Sequence, residues 1–347
     1  MGVAARGCLA LLALTAALGA CAPTVVPMGP PVTTPALVDS GRGDVAGDDH
    51  IVAADGTKLP LRVWRPEDKP ARAVIQALHG FNDYSLAFED AAKDWQTAGI
   101  LTYAYDQRGF GKAPERGLWV GTETLVADLE AATRLIKQRH PDLPLYVLGE
   151  SMGGAVVLVA GAEHRLPGVA GTILVAPAVR GRETFNGMAN ATLWFFAHTL
   201  PWLAGQPGGQ PLFLPSDNIP MLRRYSRDPL VIKDTRIDTF YGLVGLMDDA
   251  LVAARRFDMP SLILLGAKDD LIPGGPSDLM LSRMPPASVA RRRLAVYPKG
   301  YHMLLRDLDA ELAIHDVAFW AIDPATAQPL PSGDEKPISD YIRTAGN

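Results

Sequence analysis

The apolar run Leu145-Tyr146-Val147-Leu148, broken at once by Gly149-Glu150-Ser151-Met152-Gly153-Gly154, restricts this chain more than any other feature. It reads as a strand, a tight turn and the start of a helix, with a serine on the turn. The glycine spacing has a steric cause. A serine held on a strained turn brings neighbouring backbone close, and side chains at Gly149 and Gly153 would collide there. Such a serine stands exposed and can attack an acyl group. Short glycine-serine patterns also occur in ordinary turns, so the assignment depends on what else the chain supplies.

A hydroxyl is a weak nucleophile at neutral pH and needs a histidine to take its proton and a carboxylate to hold the histidine tautomer. Both follow in the chain. Ser261 to Gly266 reads as a buried strand that exits through Ala267-Lys268-Asp269-Asp270, so Asp269 is the expected acid and Asp270 its closest rival. Arg293 to Tyr297 reads as a second strand, followed by Pro298-Lys299-Gly300-Tyr301-His302-Met303 and a helical stretch from Asp307 to Trp320. His302 is the expected base. The developing oxyanion requires donors, and the strand Ala73 to Leu78 runs into His79-Gly80-Phe81-Asn82. The backbone amides of Phe81 and Met152 are assigned to the hole, with His79 supporting the turn.

Other segments alternate in the same way. Leu59–Trp64 and Leu101–Tyr105 read as strands, Ser85–Ala98 as a helix, and Val120–His140 as a long helix whose Leu125, Leu129, Ala132, Leu135 and Ile136 fall on one face. Thr172–Ala176 supplies the strand after the nucleophile helix. Strand and helix in alternation imply an α/β fold with a mostly parallel sheet flanked by helices.

The order serine, acid, histidine, with a His-Gly turn upstream, resembles the α/β-hydrolase fold from about Val52 to Trp320. Within it, the chain resembles the monoacylglycerol lipase and lysophospholipase group, which is often catalogued with the S33 serine aminopeptidases. Four segments carry the likeness: His79 to Ser85, Asp106-Gln107-Arg108-Gly109-Phe110-Gly111, the Ser151 turn, and Tyr297 to Leu304. The resemblance implies a cofactor-independent carboxylic ester hydrolase acting on a lipid or other small ester with an apolar acyl group. Proline-specific aminopeptidases of this superfamily usually carry Gly-Gly-x-Ser-Trp-Gly, whereas Glu150 and Met152 flank Ser151 here, which weakens the peptidase alternative. A non-catalytic lipid-binding lipoprotein is a further alternative, disfavoured by a full set of catalytic parts.

Between Ala176 and Met259 the alternation lapses into a segment holding Trp194, Phe195, Phe196, Trp202, Phe213, Phe240 and Tyr241. It reads as a helical cap insertion over about 178–258, at the carboxyl ends of the strands. Its aromatics either line an acyl pocket or form the cap's own small core. His198 reads as a packed or surface histidine. The Asp106 turn reads as structural, with a salt bridge, and Glu150 either tunes the local field or supports the turn.

The N-terminus carries one positive side chain, Arg6, then an apolar stretch from Cys8 to Ala20 and the sequence Leu18-Gly19-Ala20-Cys21. That stretch is short for a bilayer span and reads as an export signal over residues 1–20. Leu-Gly-Ala-Cys resembles a bacterial lipobox, which implies a lipidated Cys21 anchoring the protein to the cell envelope. Ala22 in place of an aspartate favours the outer membrane. The other cysteine, Cys8, would leave with the signal, so the mature chain has no internal disulfide. Residues 21–47, rich in Pro, Thr, Val and Gly, read as a flexible tether holding the hydrolase domain (48–322) off the lipid. Residues 323–347 read as a loosely ordered tail.

The net charge is −5, and loss of Arg6 with the signal takes it to −6, which argues against a nucleic-acid partner. Arg291-Arg292-Arg293 reads as a solvated strand entrance. No clustered His, Cys and carboxylate pattern suggests a metal site, and nothing in the sequence fixes an oligomeric state.

Overall fold

The computed structural model describes residues 22–41, 49–205 and 213–338. The expected signal peptide (1–20) and Cys21 lie outside the described residues. In chain order the strands are β1 (Ala36–Val38), β2 (His50–Val52), β3 (Lys58–Trp64), β4 (Ala73–Leu78), β5 (Ile100–Tyr105), β6 (Leu145–Glu150), β7 (Val169–Val175), β8 (Ala204–Gly205), β9 (Thr235–Arg236), β10 (Ser261–Gly266), β11 (Arg292–Tyr297) and β12 (Glu335–Lys336). The α-helices are α1 (Glu89–Thr97), α2 (Thr122–Arg139), α3 (Met152–Ala162), α4 (Gly187–Thr199), α5 (Ile219–Arg227), α6 (Ile237–Ala253), α7 (Gly274–Arg283) and α8 (Ala310–Ile322).

Ten strands form one sheet in the order β1-β2-β3-β5-β4-β6-β7-β10-β11-β12. Pairing is parallel from β5 through β11 and antiparallel at both margins. Every residue of β4, β5 and β6 is buried, because helices cover both faces and an alternating pattern would leave polar side chains dry. α1 and α8 cover one face through Trp95 and Trp320, while α2, α3 and α6 cover the other. The chain passes from β4 to β5 on one side, then crosses back to β6 on the other. The carboxyl ends of β4 and β6 therefore flank the switch point at which open α/β sheets place their sites.

Five expectations need correction. The Ser85–Ala98 helix opens as a 3-10 turn, Ser85–Phe88, before α1. The expected cap boundary at 258 is too late. α6 buries Leu243, Val244, Leu246, Met247, Ala250 and Leu251 and packs on α3, so it belongs to the helical layer over the sheet. The cap proper is α4, α5 and the β8–β9 ribbon.

The described part of the expected tether is instead docked on the domain. The Val26 amide donates to Trp119 O (2.8 Å), Met28 N–H to Thr124 Oγ1 (3.1 Å) and Val32 N–H to Ala54 O (2.8 Å), and β1 extends the sheet by pairing with β2. The tail is likewise held as far as Ile338. β12 pairs with β11, Arg293 bonds Glu335, Ser332 bonds Asp316, and Leu330 and Ile338 are buried. Lone apolar residues on extended chain suffice to hold such segments, since the backbone finds its partners on the domain. Arg292 is buried as well, donating to Phe257 O, so the basic run is not a solvated strand entrance.

Candidate active site

Ser151 follows β6 directly and opens α3, with φ 52° and ψ −114°. A non-glycine residue in that region is strained, and such strain is held only where the surroundings fix it. The Ser151 amide donates to Val175 O at 2.9 Å, and its carbonyl accepts from Ala155 N (3.1 Å) and Ala178 N (2.9 Å). A Cβ at Gly149 would run into the Gly153 backbone, and one at Gly153 into the Leu78 carbonyl. Both glycines are thus required by contacts made by the turn itself.

His302 and Asp269 converge on this serine from the ends of β11 and β10. His302 Nε2 lies 2.9 Å from Ser151 Oγ, placed to accept its hydroxyl proton. Nδ1–H donates to Asp269 Oδ2 at 2.7 Å, which sets the tautomer. The other Asp269 oxygen accepts the amides of Leu271 and Ile272, both at 2.9 Å. Asp270 next door is exposed. Burial alone would lower the His302 pKa, but the Asp269 carboxylate, with Glu150 behind it, holds the pKa above the ordinary histidine value. The two loops meet closely because Gly266 and Gly300 leave room. A Cβ on Gly266 would strike the Gly300 and Tyr301 carbonyls, and Lys268 N–H donates to Gly300 O at 2.9 Å. Neither glycine stands out in the sequence.

On the opposite side, the His79-Gly80-Phe81 turn leaves the end of β4. A Cβ on Gly80 would sit 3.3 Å from that of Ser151, so the turn passes directly beside the nucleophile. The Ser151 amide is occupied by Val175 O, and Met152 opens α3, where the first amides of a helix lack intrahelical partners, with Phe81 on the neighbouring turn. His79 is fully buried, and burial pushes its pKa down. Its Nε2 accepts the Gln107 amide (3.0 Å), so its proton is on Nδ1, facing Gly80 O at 2.8 Å. It braces the turn as a neutral group. Asp106 ties its own turn to the segment after the oxyanion turn, accepting Ser85 N and Oγ and the Lys112 amide, while the neighbouring salt bridge belongs to Arg108 with Asp55 and Asp128.

The family model described as Serine aminopeptidase, S33, matches residues 69–309, which holds the nucleophile turn, the acid, the base and the His-Gly turn. The chain belongs to this family. A monoacylglycerol lipase of Mycolicibacterium smegmatis is 30% identical over 82% of this chain and 99% of its own length. The human monoglyceride lipase is 28% identical over 78% of this chain and 89% of its own. Among solved structures, a soluble variant of the Saccharomyces cerevisiae monoglyceride lipase superposes with a TM-score of 0.66 at 19% identity, covering 88% of this chain and 100% of that one. A monoacylglycerol lipase of Paleococcus ferrophilus gives 0.62 at 23% identity, covering 76% and 98%. These likenesses place the chain in the α/β-hydrolase fold.

Sequence reasoning missed one group in this S33-family site. Arg306, on the 3-10 turn after His302, has a side chain only 10% exposed and bridges Asp83 (2.7 Å) of the oxyanion turn and Glu150 (3.5 Å) beside the nucleophile. Tyr225 of α5 covers its guanidinium at 5.6 Å, and Asn218 Nδ2 donates to its carbonyl at 3.0 Å. One side chain therefore ties the histidine loop to the nucleophile turn, the oxyanion turn and the cap. Burial raises the Glu150 pKa, opposed by Arg306. The charge of Glu150 and the downstream arginine were the only signal for the pair, since nothing in the spacing links them.

The cap is pinned to the histidine loop by Met303 N–H to Pro215 O (2.9 Å) and Leu308 N–H to Asp217 Oδ1 (2.8 Å). Its aromatics follow neither expectation fully. Trp194, Phe195 and Trp202 are each 54% exposed, so they are not the centre of a small core. His198 stacks on Trp194 with ring centroids 4.4 Å apart.

Proposed function

We propose that this chain is a monoacylglycerol lipase, a serine ester hydrolase that cleaves the carboxylic ester of a monoacylglycerol or a lysophospholipid. The carrying observation is the hydrogen-bonded path from Ser151 Oγ through both ring nitrogens of His302 to Asp269, in a chain whose similar curated proteins carry that name. Ser151 Oγ attacks the ester carbonyl as His302 Nε2 takes its proton. The oxyanion receives the amides of Phe81 and Met152, and His302 returns the proton to the departing alcohol oxygen. Water, deprotonated by His302, then releases the fatty acid from Ser151. Asp269 holds the imidazole and stabilises its charge throughout.

The family description keeps an aminopeptidase reading in view. That activity needs carboxylates free to receive an amine, and Glu150 and Asp83 are both engaged by Arg306. Hydrolysis of monoacylglycerols of increasing acyl length, beside a panel of aminoacyl anilides, separates the two. Turnover that rises with acyl length and falls by at least about 10³-fold in Ser151→Ala, with folding intact, is expected. Turnover of anilides alone would move the protein to the peptidases.

We also propose that residues 1–20 direct export and that Cys21 is lipidated, placing the enzyme in the cell envelope on the outer membrane. The support is the lipobox-like Leu18-Gly19-Ala20-Cys21 after an apolar stretch. Mass spectrometry of the mature N-terminal peptide tests it. An unmodified cysteine, or cleavage elsewhere, defeats it.

A further inference from the structure

Four parts of the chain enclose a cavity of about 220 Å³ beside the histidine loop. Asp217 comes from the leg of the cap, Lys299 from the histidine loop, Asp307 and Asp309 from the approach to α8, and Asp334 from the tail. Neither Ser151 nor His302 lines it, so this space is not the seat of the reacting ester. Four carboxylates face one ammonium, and Lys299 pairs with Asp309 at 3.4 Å. Acids before a helix are commonly explained as caps, yet Asp309, the residue before α8, makes no side-chain capping bond. Asp307 lines the cavity and is only 6% exposed. Its Oδ2 accepts the Tyr301 amide at 2.7 Å, and no donor meets its Oδ1 in hydrogen-bonding geometry. Burial, with Asp217 beside it, pushes the Asp307 pKa up to about 6 against the Ser216 hydroxyl and the Tyr301 amide. A buried carboxylate without a counter-charge is costly, and like charges crowded into a recess focus a field that draws cations in.

The spacing of the acids says which cation fits. Among the described residues no three Asp, Glu, His or Cys side chains converge so as to hold a metal ion. The carboxylates instead stand along the walls of a space with room for roughly seven waters, more than a bare ion fills. Leu304, Leu312 and Tyr297 form the apolar part of those walls. Methylene chains lie on such surface while their charged ends reach polar partners. With Lys299 set against one acid, the remaining carboxylates call for several positive charges held apart on an aliphatic chain.

We propose that this cavity binds a linear polyamine, with its ammonium groups on the Asp217, Asp307, Asp309 and Asp334 carboxylates and its methylenes on Leu304 and Leu312. The occupant joins the cap leg to the histidine loop, because Asp217 also accepts the Leu308 amide (2.8 Å) and Asp307 accepts the amide of Tyr301, the neighbour of His302. The site does not depend on which ester the enzyme cleaves.

The test titrates spermidine into the purified protein by isothermal titration calorimetry, at physiological ionic strength and a pH where Asp307 is ionised. Saturable binding of one spermidine per chain is expected, weakened at least tenfold by Asp309→Asn with Asp334→Asn. Asp309 is exposed and Asp334 half-buried, so this variant folds, which circular dichroism checks, whereas replacing Asp307 would disturb the histidine loop. Glu67→Gln with Asp68→Asn removes the same charge from exposed positions elsewhere and should leave the affinity within twofold. Equal weakening by the two pairs would reduce the effect to long-range attraction and overturn the proposal. Absence of saturable binding would overturn it too. Calcium chloride is titrated in a parallel arm. Calcium binding that Asp309→Asn with Asp334→Asn abolishes, and that spermidine does not compete with, would make the cavity a metal site and defeat the polyamine.

Discussion

α3 and α4 are two apolar helices of similar length with opposite fates. All eleven residues of α3 are buried, between the sheet and α2 and α6, whereas α4 buries one residue. α4 carries a few polar side chains, Asn190, Thr192, His198 and Thr199, but it also carries the larger apolar rings. What differs is the supply of partner surface, because α3 follows a strand in a six-strand parallel array and is covered on every side. α4 leaves the sheet, and its rings face outward. Apolar content thus reports packing in one region and an exposed surface in the other.

The sharpest way to break that contrast is at the nucleophile turn. Gly153→Ala places a Cβ against the Leu78 carbonyl, which belongs to a buried strand and cannot give way. Loss of nearly all soluble, active protein is expected in an expression and activity assay. A well-folded, active variant would show the turn to be looser than its geometry states. Matched tryptophans come next. Trp95→Ala removes a fully buried ring and should cost about 3–5 kcal/mol in denaturant unfolding. Trp194→Ala should change the same measurement by no more than about 0.5 kcal/mol. Similar costs at both sites would mean that the cap ring is covered in solution.

Arg306 joins the two regions. Arg306→Met would leave Glu150 and Asp83 as buried carboxylates without their cation, at a cost of about 3–5 kcal/mol. Adding Glu150→Gln should recover part of that loss. No recovery would mean that Glu150 is not the charge Arg306 neutralises.

How much could be read from the sequence follows the same division. Ser261–Gly266 and Ala73–Leu78 match their strands residue for residue, because fully buried parallel strands leave unbroken apolar runs. Ser151 and Asp269 follow such strands and His302 follows the neighbouring, partly exposed β11, so the topology that makes the strands legible also delivers the side chains to one place. The docked N-terminal segment and the tail left no such trace. Their backbone amides bond to Trp119, Ala54 and Thr124, or pair with β11, and extended chain of that kind imposes no period on its side chains. The Arg306 cluster was silent for another reason. Its three charges lie at residues 83, 150 and 306, and only the folded sheet brings them together.

The smallest expected effect is the most diagnostic of what Glu150 does beside the nucleophile. His302 must be neutral to accept the serine proton, so kcat/KM falls on the acid side as the imidazole protonates. The negative charge of Glu150 favours the imidazolium, adding to Asp269, while Arg306 opposes it. Asp83, Tyr225 and Asp307 share the same buried surroundings. Glu150→Gln keeps the shape and removes one negative charge, so the His302 pKa should fall and the acid limb of the kcat/KM profile should move to lower pH, by less than about one unit. If Glu150 only supports the turn, kcat changes and the limb stays where it is. A limb that moves to higher pH would mean that Glu150 does not favour the imidazolium and would defeat this electrostatic role.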